Sequence, residues 1–332
     1  MKPGWLGLGL VAAAGAVMLN RLRRPHRLRG RLVLITGGSR GLGLELARVC
    51  LDRGARVALL GRDADTLATA RASLGDGVFT FACDVADRGA VRAAVDTLAE
   101  RAGDVDVVIH CAGQIQVGPL KTMTPADYQR SLDTHLFGAI HVVDAVLPSM
   151  RERRAGNIVL VSSVGGLVAV PHLTPYSTSK FALAGYAEGL RAELANDGIC
   201  VTAVYPGLMR TGSPRNADFK GRHEREYAWF TIAGSLPFVS MSVQKAARSI
   251  VAACERGQAS LNLMPLGRVL LTLKAWLPGV TAALMSGFNR ALPRGGDAPG
   301  TGSRKGHESE SFATRSPLTL LTRRAELSQN QR

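Results

Sequence analysis

Short runs of β-branched and other apolar residues alternate with longer mixed stretches from Arg31 onward, and this alternation constrains the fold more than any other feature. The stretches between the runs, such as Gly43 to Asp52, Arg88 to Arg101 and Ser177 to Ala195, carry apolar residues at helical spacing with few helix breakers. Strands separated by helices are typical of a parallel sheet covered on both faces. The sequence therefore predicts one doubly wound α/β domain over residues 31–264 with seven parallel strands, namely Leu32 to Thr36, Arg56 to Gly61, Val78 to Asp84, Val105 to His110, Asn157 to Ser163, Ile199 to Tyr205 and Ser260 to Met264.

The chain begins with an apolar run of 16 residues, Gly4 to Leu19, which is followed directly by a cluster of arginines. A bilayer-spanning helix needs about 20 residues, with a lower limit of about 17, so the run is marginal for a span. Arginines resist translocation and stay on the cytoplasmic side. We therefore predict that residues 1–30 are an apolar helix and basic flank that anchor a cytoplasmic domain to a membrane. A cleaved signal peptide and a core helix are the alternatives.

Beyond Pro265 the strand pattern ends. Residues 256–296 contain no Asp or Glu, and residues 265–294 combine leucines, Trp276 and Phe288 with spaced basic residues. This composition predicts a helical extension that either lies in a membrane interface or packs on the domain or a partner subunit. Residues 295–332 are rich in Gly, Ser, Thr, Arg and Gln, which predicts a disordered tail.

The net charge of +15 raises the question of a nucleic-acid partner. Seven of the positive charges, with no acid among them, lie in residues 1–31, which leaves +8 for the rest of the chain. That remainder has no motif that reads DNA or RNA, so we expect no nucleic-acid partner. The five cysteines form no CxxC pair, which argues against a disulfide framework and a Cys-type zinc site and favours a reducing compartment.

A glycine-rich loop connects the first predicted strand to the first helix, and its sequence is Thr36-Gly37-Gly38-Ser39-Arg40-Gly41-Leu42-Gly43. Glycines let a backbone approach a pyrophosphate closely, and the N-terminus of the following helix supplies N–H donors and a positive dipole. A strand, such a loop and a helix form the nucleotide-binding unit of a Rossmann fold. The position of the loop therefore predicts a dinucleotide site.

Tyr176 and Lys180 lie four residues apart in a predicted helix, so their side chains share one face. A phenol with a pKa of about 10 transfers protons poorly at neutral pH, whereas a nearby cation favours its ionised form and lowers the pKa. Lys180 is the candidate cation. Ser163, at the carboxyl end of a predicted strand, offers a hydroxyl to the same substrate oxygen. Taken singly, these residues would also suit a surface Tyr–Lys pair and a loop serine.

Together these residues make the chain, from Arg31 to Met264, similar to the compact single-domain branch of the short-chain dehydrogenase/reductase family. The resemblance implies that Tyr176 moves a proton, that Ser163 orients the substrate oxygen and that Lys180 holds ribose hydroxyls. Family members usually pair through the helices next to this tyrosine, so a homodimer or homotetramer is expected. The resemblance also adds to the glycine-rich loop a set of cofactor-binding residues, namely Asp84, Val85, Ala112, Gly113, Pro206, Gly207 and Thr211.

Two segments depart from the family pattern. His110-Cys111-Ala112-Gly113 stands where the family has an Asn-Asn-Ala-Gly-like stretch, and His135 stands where it usually has a catalytic asparagine. The family's asparagine holds a water through its main-chain carbonyl, a role that survives a change of side chain. His135 therefore stays among the catalytic candidates, and its imidazole, with an ordinary pKa of about 6.5, is expected to add pH dependence.

Charge at the end of the second strand indicates which dinucleotide is bound. An acidic residue there binds the ribose 2′-hydroxyl of NAD(H), whereas arginine attracts the 2′-phosphate of NADP(H). The chain has Gly61 and then Arg62 at this point, with Arg40 inside the glycine-rich loop. The two arginines predict NADP(H), and since NADPH commonly drives reduction, they favour a carbonyl reductase. Asp63 follows Arg62, so a surface ion pair is the alternative.

The segment Leu208 to Ser240 lies where the family has a mobile substrate lid, and it holds five of the 17 aromatic residues, Phe219, Tyr227, Trp229, Phe230 and Phe238. Together with the predicted anchor, these aromatic residues predict a lipophilic substrate such as a keto-lipid, sterol or retinoid. The order of anchor and domain is similar to that of membrane-anchored hydroxysteroid dehydrogenases and ketosphinganine reductases. Packing of the lid against its own domain is the alternative. The leading prediction is a membrane-anchored NADP(H)-dependent oxidoreductase, and the competing one is a catalytically silent NADP(H)-binding scaffold recruited to acidic lipid.

Overall fold

The computed structural model describes residues 27–236, 240–294 and 302–311, together with Thr314, Thr319, Thr322, Glu326 and residues 329–331. The predicted apolar anchor helix and Phe238 lie outside the described residues. Within those residues, no helix combines the length and the apolar character that a membrane crossing requires.

The strands are, in chain order, β1 Leu32–Thr36, β2 Arg56–Gly61, β3 Phe79–Ala82, β4 Val107–His110, β5 Gln116–Val117, β6 Gly156–Val161, β7 Ile199–Tyr205, β8 Leu208–Arg210, β9 Asp218–Phe219, β10 Ser240–Ser242, β11 Ser260–Asn262 and β12 Arg304–Lys305. The α-helices are α1 Gly41–Asp52, α2 Ala64–Leu74, α3 Arg88–Ala102, α4 Pro125–Leu132, α5 Gly138–Glu152, α6 Thr174–Leu194, α7 Ser213–Asn216, α8 His223–Ser235, α9 Val243–Glu255, α10 Pro265–Trp276 and α11 Pro278–Ala291. A π-helical turn, Asp133–Phe137, joins α4 to α5.

Seven parallel strands form the central sheet in the order β11-β7-β6-β4-β1-β2-β3. The chain runs from β1 to one edge through β2 and β3, crosses back to β4 and continues to the other edge. This doubly wound order confirms the predicted Rossmann-like fold. β1, β2 and β7 have the predicted bounds. β3, β4 and β11 are shorter than predicted, and β6 begins one residue earlier and ends two residues earlier than predicted.

Helices cover both faces of the sheet, and β1 lies between two apolar layers. Leu34 packs in one layer with Leu183 of α6, and Ile35 packs in the other with Ile250 of α9. All five residues of β1 are buried. Successive side chains of a strand point to opposite faces, so a central strand covered on both sides is apolar throughout.

Two small sheets lie outside the central one, β8 with β10 and β5 with β9 and β12. β12 belongs to the segment predicted to be disordered. Its residues Arg304 and Lys305 pair antiparallel with Phe219 and Asp218 of β9. The prediction of disorder is therefore wrong for residues 302–311, because their backbone completes the edge of a sheet.

Candidate active site

The predicted site residues converge at the carboxyl edge of the central sheet. Thr36 ends β1, His110 ends the neighbouring β4, and Ser163 follows β6. The helix after β1 packs on one face of the sheet and the helices after β4 pack on the other. Ligands of open parallel sheets bind in the crevice at such a switch point.

The glycine-rich loop has a shape that fits a dinucleotide. Gly37 and Gly41 have positive φ angles of 66° and 57°, which residues with a Cβ rarely adopt. A Cβ on Gly43 would lie 2.1 Å from the carbonyl oxygen of Gly37, so the first turn of α1 packs directly on the loop. The N–H groups in the first turn of α1 have no partner within the helix, and they lie where a pyrophosphate would bind.

Thr36 and His110 join this loop to the end of β4. The Thr36 hydroxyl oxygen accepts hydrogen bonds from the N–H groups of Cys111 and Ala112, each at 3.1 Å. The hydroxyl therefore donates its own proton to Nδ1 of His110, 3.0 Å away. Because Nδ1 accepts this hydrogen bond, the ring proton of His110 lies on Nε2. Burial, followed by the charge of Lys180, lowers the pKa of His110 to about 3. His110 thus replaces the family's asparagine with a neutral hydrogen-bonding ring.

Arg40 and Arg62 lie close enough for their charges to interact. Burial, followed by the positive charge of Arg62, lowers the pKa of Arg40, and Asp63 offsets this in part. The Asp63 carboxylate itself caps α2 by accepting a hydrogen bond from the Thr66 N–H at 2.7 Å. Two guanidinium groups placed together favour a phosphate between them.

The other predicted cofactor residues follow the neighbouring strands. Asp84, which is exposed, and Val85, which is buried, lie just after β3. The Pro206-Gly207 turn ends β7, and the Pro206 carbonyl oxygen accepts a hydrogen bond from the Val164 N–H at 2.8 Å. Thr211 is buried after β8. The ends of β3 and β7 thus contribute to the same edge of the sheet.

The last described residues of the chain lie on the glycine-rich loop. The carbonyl oxygen of Gln329 accepts a hydrogen bond from the Gly41 N–H at 3.0 Å. The Asn330 side-chain amide donates to the Ser39 carbonyl oxygen at 2.9 Å. A Cβ on Gly41 would lie 2.3 Å from Nε2 of Gln331. The tail thus uses an N–H of α1 that an anionic ligand would need, and the prediction of disorder is wrong at these residues as well.

We expect a chain that ends at Ser328 to bind NADPH about tenfold more tightly than the full chain. Each hydrogen bond of the tail is worth about 1 kcal/mol net, and the cofactor must displace them. A fluorescence titration with NADPH measures the change, and Asn330→Ala in a chain of full length should give part of the gain. Equal or weaker binding by the shortened chain would contradict this view of the tail.

Ser163 and Tyr176 meet beside Gly165. A Cβ on Gly165 would lie 3.4 Å from both the Ser163 Oγ and the Tyr176 Cε1. Burial raises the pKa of Tyr176, and a hydrogen bond with Ser163 offsets this in part. The phenol therefore carries its proton at neutral pH, which is the form that can donate a proton to a substrate oxygen.

Lys180 is buried next to the tyrosine on α6. Its Nζ donates a hydrogen bond to the Val161 carbonyl oxygen at 2.9 Å and lies 5.8 Å from the centroid of the Tyr176 ring. Burial lowers the pKa of Lys180 to about 8. The prediction that Lys180 lowers the pKa of Tyr176 is wrong for this arrangement, because burial of the phenol outweighs every other influence on its pKa.

His135 is fully buried, and both of its ring nitrogens have partners. The N–H of Gln114 donates to Nε2 at 3.1 Å. Nδ1 lies 2.7 Å from Oγ of Ser179, whose own proton goes to the Tyr176 carbonyl oxygen at 2.8 Å. Nδ1 is therefore the donor and the ring is neutral. Burial, followed by the charge of Lys180, holds the pKa of His135 well below its ordinary value, so the predicted titration near neutral pH is wrong.

The backbone around His135 explains how the ring reaches these partners. His135 is the middle residue of the π-helical turn Asp133–Phe137. Such turns widen a helix locally and are frequent at functional sites. The ring lies edge-on to Tyr176 with 5.5 Å between centroids. His135 is thus a positioning residue that joins the loop after β4 to α6.

We expect His135→Leu to lower kcat/KM about 10- to 100-fold, because the Gln114 N–H and the Ser179 hydroxyl lose their buried partner beside Tyr176. His135→Asn, which keeps a donor and an acceptor, should retain more activity. The pH profile of His135→Asn between about pH 5 and 8 should match that of the native protein, since the neutral ring contributes no titration. A native inflection in that range that His135→Asn removes would contradict this assignment.

A buried pair of His172 and Glu226 lies beside the lid, and no sequence motif predicts it. Nδ1 of His172 lies 2.9 Å from the Glu226 carboxylate, and Trp229 Nε1 donates to the same carboxylate at 2.7 Å. These contacts tie α8 to the segment between Ser163 and Tyr176. The partners are far apart in the chain and form no motif, so only the fold brings them together.

Three of the lid aromatics predicted to suit an apolar ligand instead pack within the protein. Phe219, Tyr227 and Phe230 are buried with Val117, Leu173 and Ala217 in one apolar cluster, as the alternative interpretation expected. Tyr176 packs against this cluster. Tyr176 therefore has an apolar wall beside it.

Comparison with known proteins points in the same direction as this geometry. A model of the family described as short chain dehydrogenase matches residues 31–219. The chain is 35% identical to dehydrogenase/reductase SDR family member 7B of Danio rerio over 229 residues, which cover 64% of this chain and 74% of that protein. It is 37% identical to 3-dehydrosphinganine reductase TSC10B of Arabidopsis thaliana over 201 residues, which cover 57% and 60% of the two chains.

A solved structure gives a similar result. The fold matches that of a gluconate 5-dehydrogenase from Burkholderia cenocepacia in complex with NADP and tartrate, with a TM-score of 0.65 and 28% sequence identity. The match covers 75% of this chain and 98% of that one.

Proposed function

The chain belongs to the short chain dehydrogenase family, and on that premise we propose that it is an NADP(H)-dependent reductase that converts the carbonyl group of a lipophilic substrate into an alcohol. One observation carries the proposal, which is that the glycine-rich loop and the Tyr176–Lys180 pair adjoin the same short segment. A Cβ on Gly37 would lie 2.8 Å from Cα of Ala112, and one on Gly113 would lie 3.8 Å from Lys180 Nζ.

The proposed chemistry assigns one task to each side chain. Tyr176, protonated at neutral pH, donates a proton to the carbonyl oxygen, and the Ser163 hydroxyl orients that oxygen. The Lys180 ammonium has three donors, of which the Val161 carbonyl takes one, so donors remain for the ribose hydroxyls of the cofactor. Bound NADPH supplies the hydride that reduces the carbonyl carbon.

The proposal of NADP(H) rather than NAD(H) is supported by charge. Arg40 and Arg62 interact near the glycine-rich loop, and the nearest carboxylate, that of Asp63, is engaged as a helix cap. Guanidinium groups bind phosphate in a forked geometry that favours the 2′-phosphate. The similar gluconate 5-dehydrogenase was solved with NADP.

The proposal of a lipophilic substrate is supported by the apolar cluster against which Tyr176 packs. The Arabidopsis relative bears the name of a reductase of 3-dehydrosphinganine, a keto-lipid. We also propose, from the sequence, that residues 1–30 anchor the chain to a membrane with the domain on the cytoplasmic side, and that the chain forms a homodimer or homotetramer. An anchored enzyme would take such a substrate from the bilayer.

We expect kcat/KM for NADPH to be constant below about pH 8 and to fall about tenfold per pH unit above it. Burial places the pKa of Lys180 at about 8, so the ammonium is charged below that pH and loses its proton above it, whereas the raised pKa of Tyr176 keeps the phenol protonated. Initial rates over a pH series measure the profile. Lys180→Arg should move the fall to higher pH, and a rate that rises through pH 8 in the native protein would contradict the assignment.

Turnover of NADPH with a panel of carbonyl compounds tests the function. We expect long-chain ketones to be reduced faster than small polar ketones, because only the former can use the apolar wall beside Tyr176. Tight binding of NADPH with no turnover of any compound would instead support the scaffold. Faster reduction of polar sugars than of lipids would overturn the substrate class alone.

A further inference from the structure

We propose that the two C-terminal helices form a docking surface for an anionic phospholipid bilayer. These helices, α10 and α11, are joined at Leu277 and are called here the C-terminal hairpin. The use of this surface rests on the proposed function, since docking would bring the candidate active site close to the source of a lipophilic substrate. The docking itself rests on the three observations that follow.

Exposed apolar side chains are concentrated on the hairpin. Trp276, at the end of α10, is 81% exposed, and within α11 only Thr281 is buried. Single exposed apolar residues are ordinary, whereas a concentrated patch marks an interaction surface. Of the ten large apolar side chains that are exposed in the described part of the chain, six belong to the hairpin, namely Val269, Trp276, Leu277, Val280, Leu284 and Phe288.

The charge of the hairpin selects the kind of partner. Residues 256–296 contain no Asp or Glu, and Arg268, Arg290 and Arg294 are exposed. Cations beside exposed Trp, Phe and Leu are what an interfacial helix presents to anionic headgroups. A second copy of the chain would bring the same cations together with no acids to balance them, so the charge favours a lipid surface over self-association.

The hairpin is attached to two segments that belong to the candidate active site or its lid. Lys274 Nζ donates to the Leu167 carbonyl oxygen at 2.6 Å, in the segment that follows Ser163. The ring of Phe288 lies edge-on to Trp229 of α8, with 6.2 Å between centroids. A bilayer in contact with the hairpin would therefore lie next to both the serine segment and the lid helix.

Hydrogen–deuterium exchange on the full chain tests this, with vesicles of phosphatidylcholine alone or mixed with phosphatidylglycerol. We expect the backbone amides of residues 277–291 to exchange at least about tenfold more slowly with the mixed vesicles, and those of α2 to be unchanged. Leu284→Asp should remove the protection of the hairpin. Leu120→Asp, which adds the same charge at an exposed leucine outside the hairpin, should leave it intact.

Three results would overturn the proposal. In one, the protein floats with the vesicles while the hairpin amides exchange as they do in buffer, so that another segment binds the lipid. In the second, the hairpin is protected without vesicles in a way that rises with protein concentration, which indicates a second copy. In the third, the hairpin is protected without vesicles at every protein concentration, which indicates that residues 1–26 of the same chain cover it.

The measurement needs no turnover, so its failure can be told apart from failure of the proposed reductase activity. Leu284→Asp should reduce a small water-soluble ketone at the native rate, because Leu284 lies on the exposed face of α11. Absence of NADPH turnover by the native protein, with the hairpin still protected by mixed vesicles, would reject the proposed function and leave the docking surface standing.

Discussion

Replacing Tyr176 with phenylalanine is expected to lower kcat/KM for carbonyl reduction about 100- to 10,000-fold, while the affinity for NADPH should stay within about twofold of the native value. The change removes one hydroxyl and keeps the ring that packs against the apolar cluster of the lid. No other phenol meets Ser163 among the described residues. Steady-state rates and an NADPH titration measure the two quantities separately.

Tyr186→Phe is the matched control for this experiment. Tyr186 lies ten residues further along α6, and burial raises the pKa of its phenol as it does for Tyr176. We expect this control to keep native activity, since burial and the charge of Asp144, rather than any catalytic candidate, govern the pKa of the Tyr186 phenol. A Tyr176→Phe variant that turns over at the rate of the control would reject Tyr176 as proton donor.

The double variant Arg40→Ala/Arg62→Ala is expected to weaken binding of NADPH about 100-fold and to leave binding of NADH nearly unchanged. Each guanidinium is expected to make charge-assisted hydrogen bonds to the 2′-phosphate, and a combined loss of about 3 kcal/mol corresponds to about two orders of magnitude in affinity. NADH lacks that phosphate and loses nothing. Titration of both cofactors against both proteins measures the ratio.

Arg71→Ala is the control for the loss of an arginine that is not expected to contact the cofactor. Arg71 lies in the last turn of α2 and donates to the Asp76 carbonyl oxygen, away from the glycine-rich loop. It should leave the ratio of the two affinities unchanged. An equal loss of NADH and NADPH binding in the double variant would indicate damage to the loop, and a loss of neither would reject NADP(H) selection by these arginines.

The fold could be predicted from sequence because burial on both faces requires runs such as Leu32–Thr36 to be apolar throughout. The ends of the strands could not, since apolar residues can continue the pattern of a strand without pairing to its neighbour: the predicted β3 extends beyond the observed strand at both ends, and the predicted β4 begins two residues too early. The tail was mispredicted because its composition is polar, and polar residues suit either solvent or hydrogen bonding to an exposed strand and loop. Asn330 hydrogen-bonds to the glycine-rich loop, and Lys305 pairs with strand β9.

In the site, spacing and resemblance identified which side chains come together, and the structure determined their protonation. Tyr176 and Lys180 lie on one helix face as predicted, but the pKa of the phenol depends on burial by the lid, which is distant in sequence. The partners of His135 come from α6 and from the loop after β4. The sequence contains no pattern that pairs them.

The central claim is that a hydride from NADPH and a proton from Tyr176 reach the same lipid carbonyl. NADPH deuterated at C4 of the nicotinamide, incubated with the full chain and a membrane lipid extract, tests it most directly when the lipids are analysed by mass spectrometry. We expect one lipid alcohol that carries a single deuterium on its carbinol carbon and that is missing with Tyr176→Phe. Bound NADPH together with an extract in which no lipid acquires deuterium would contradict it.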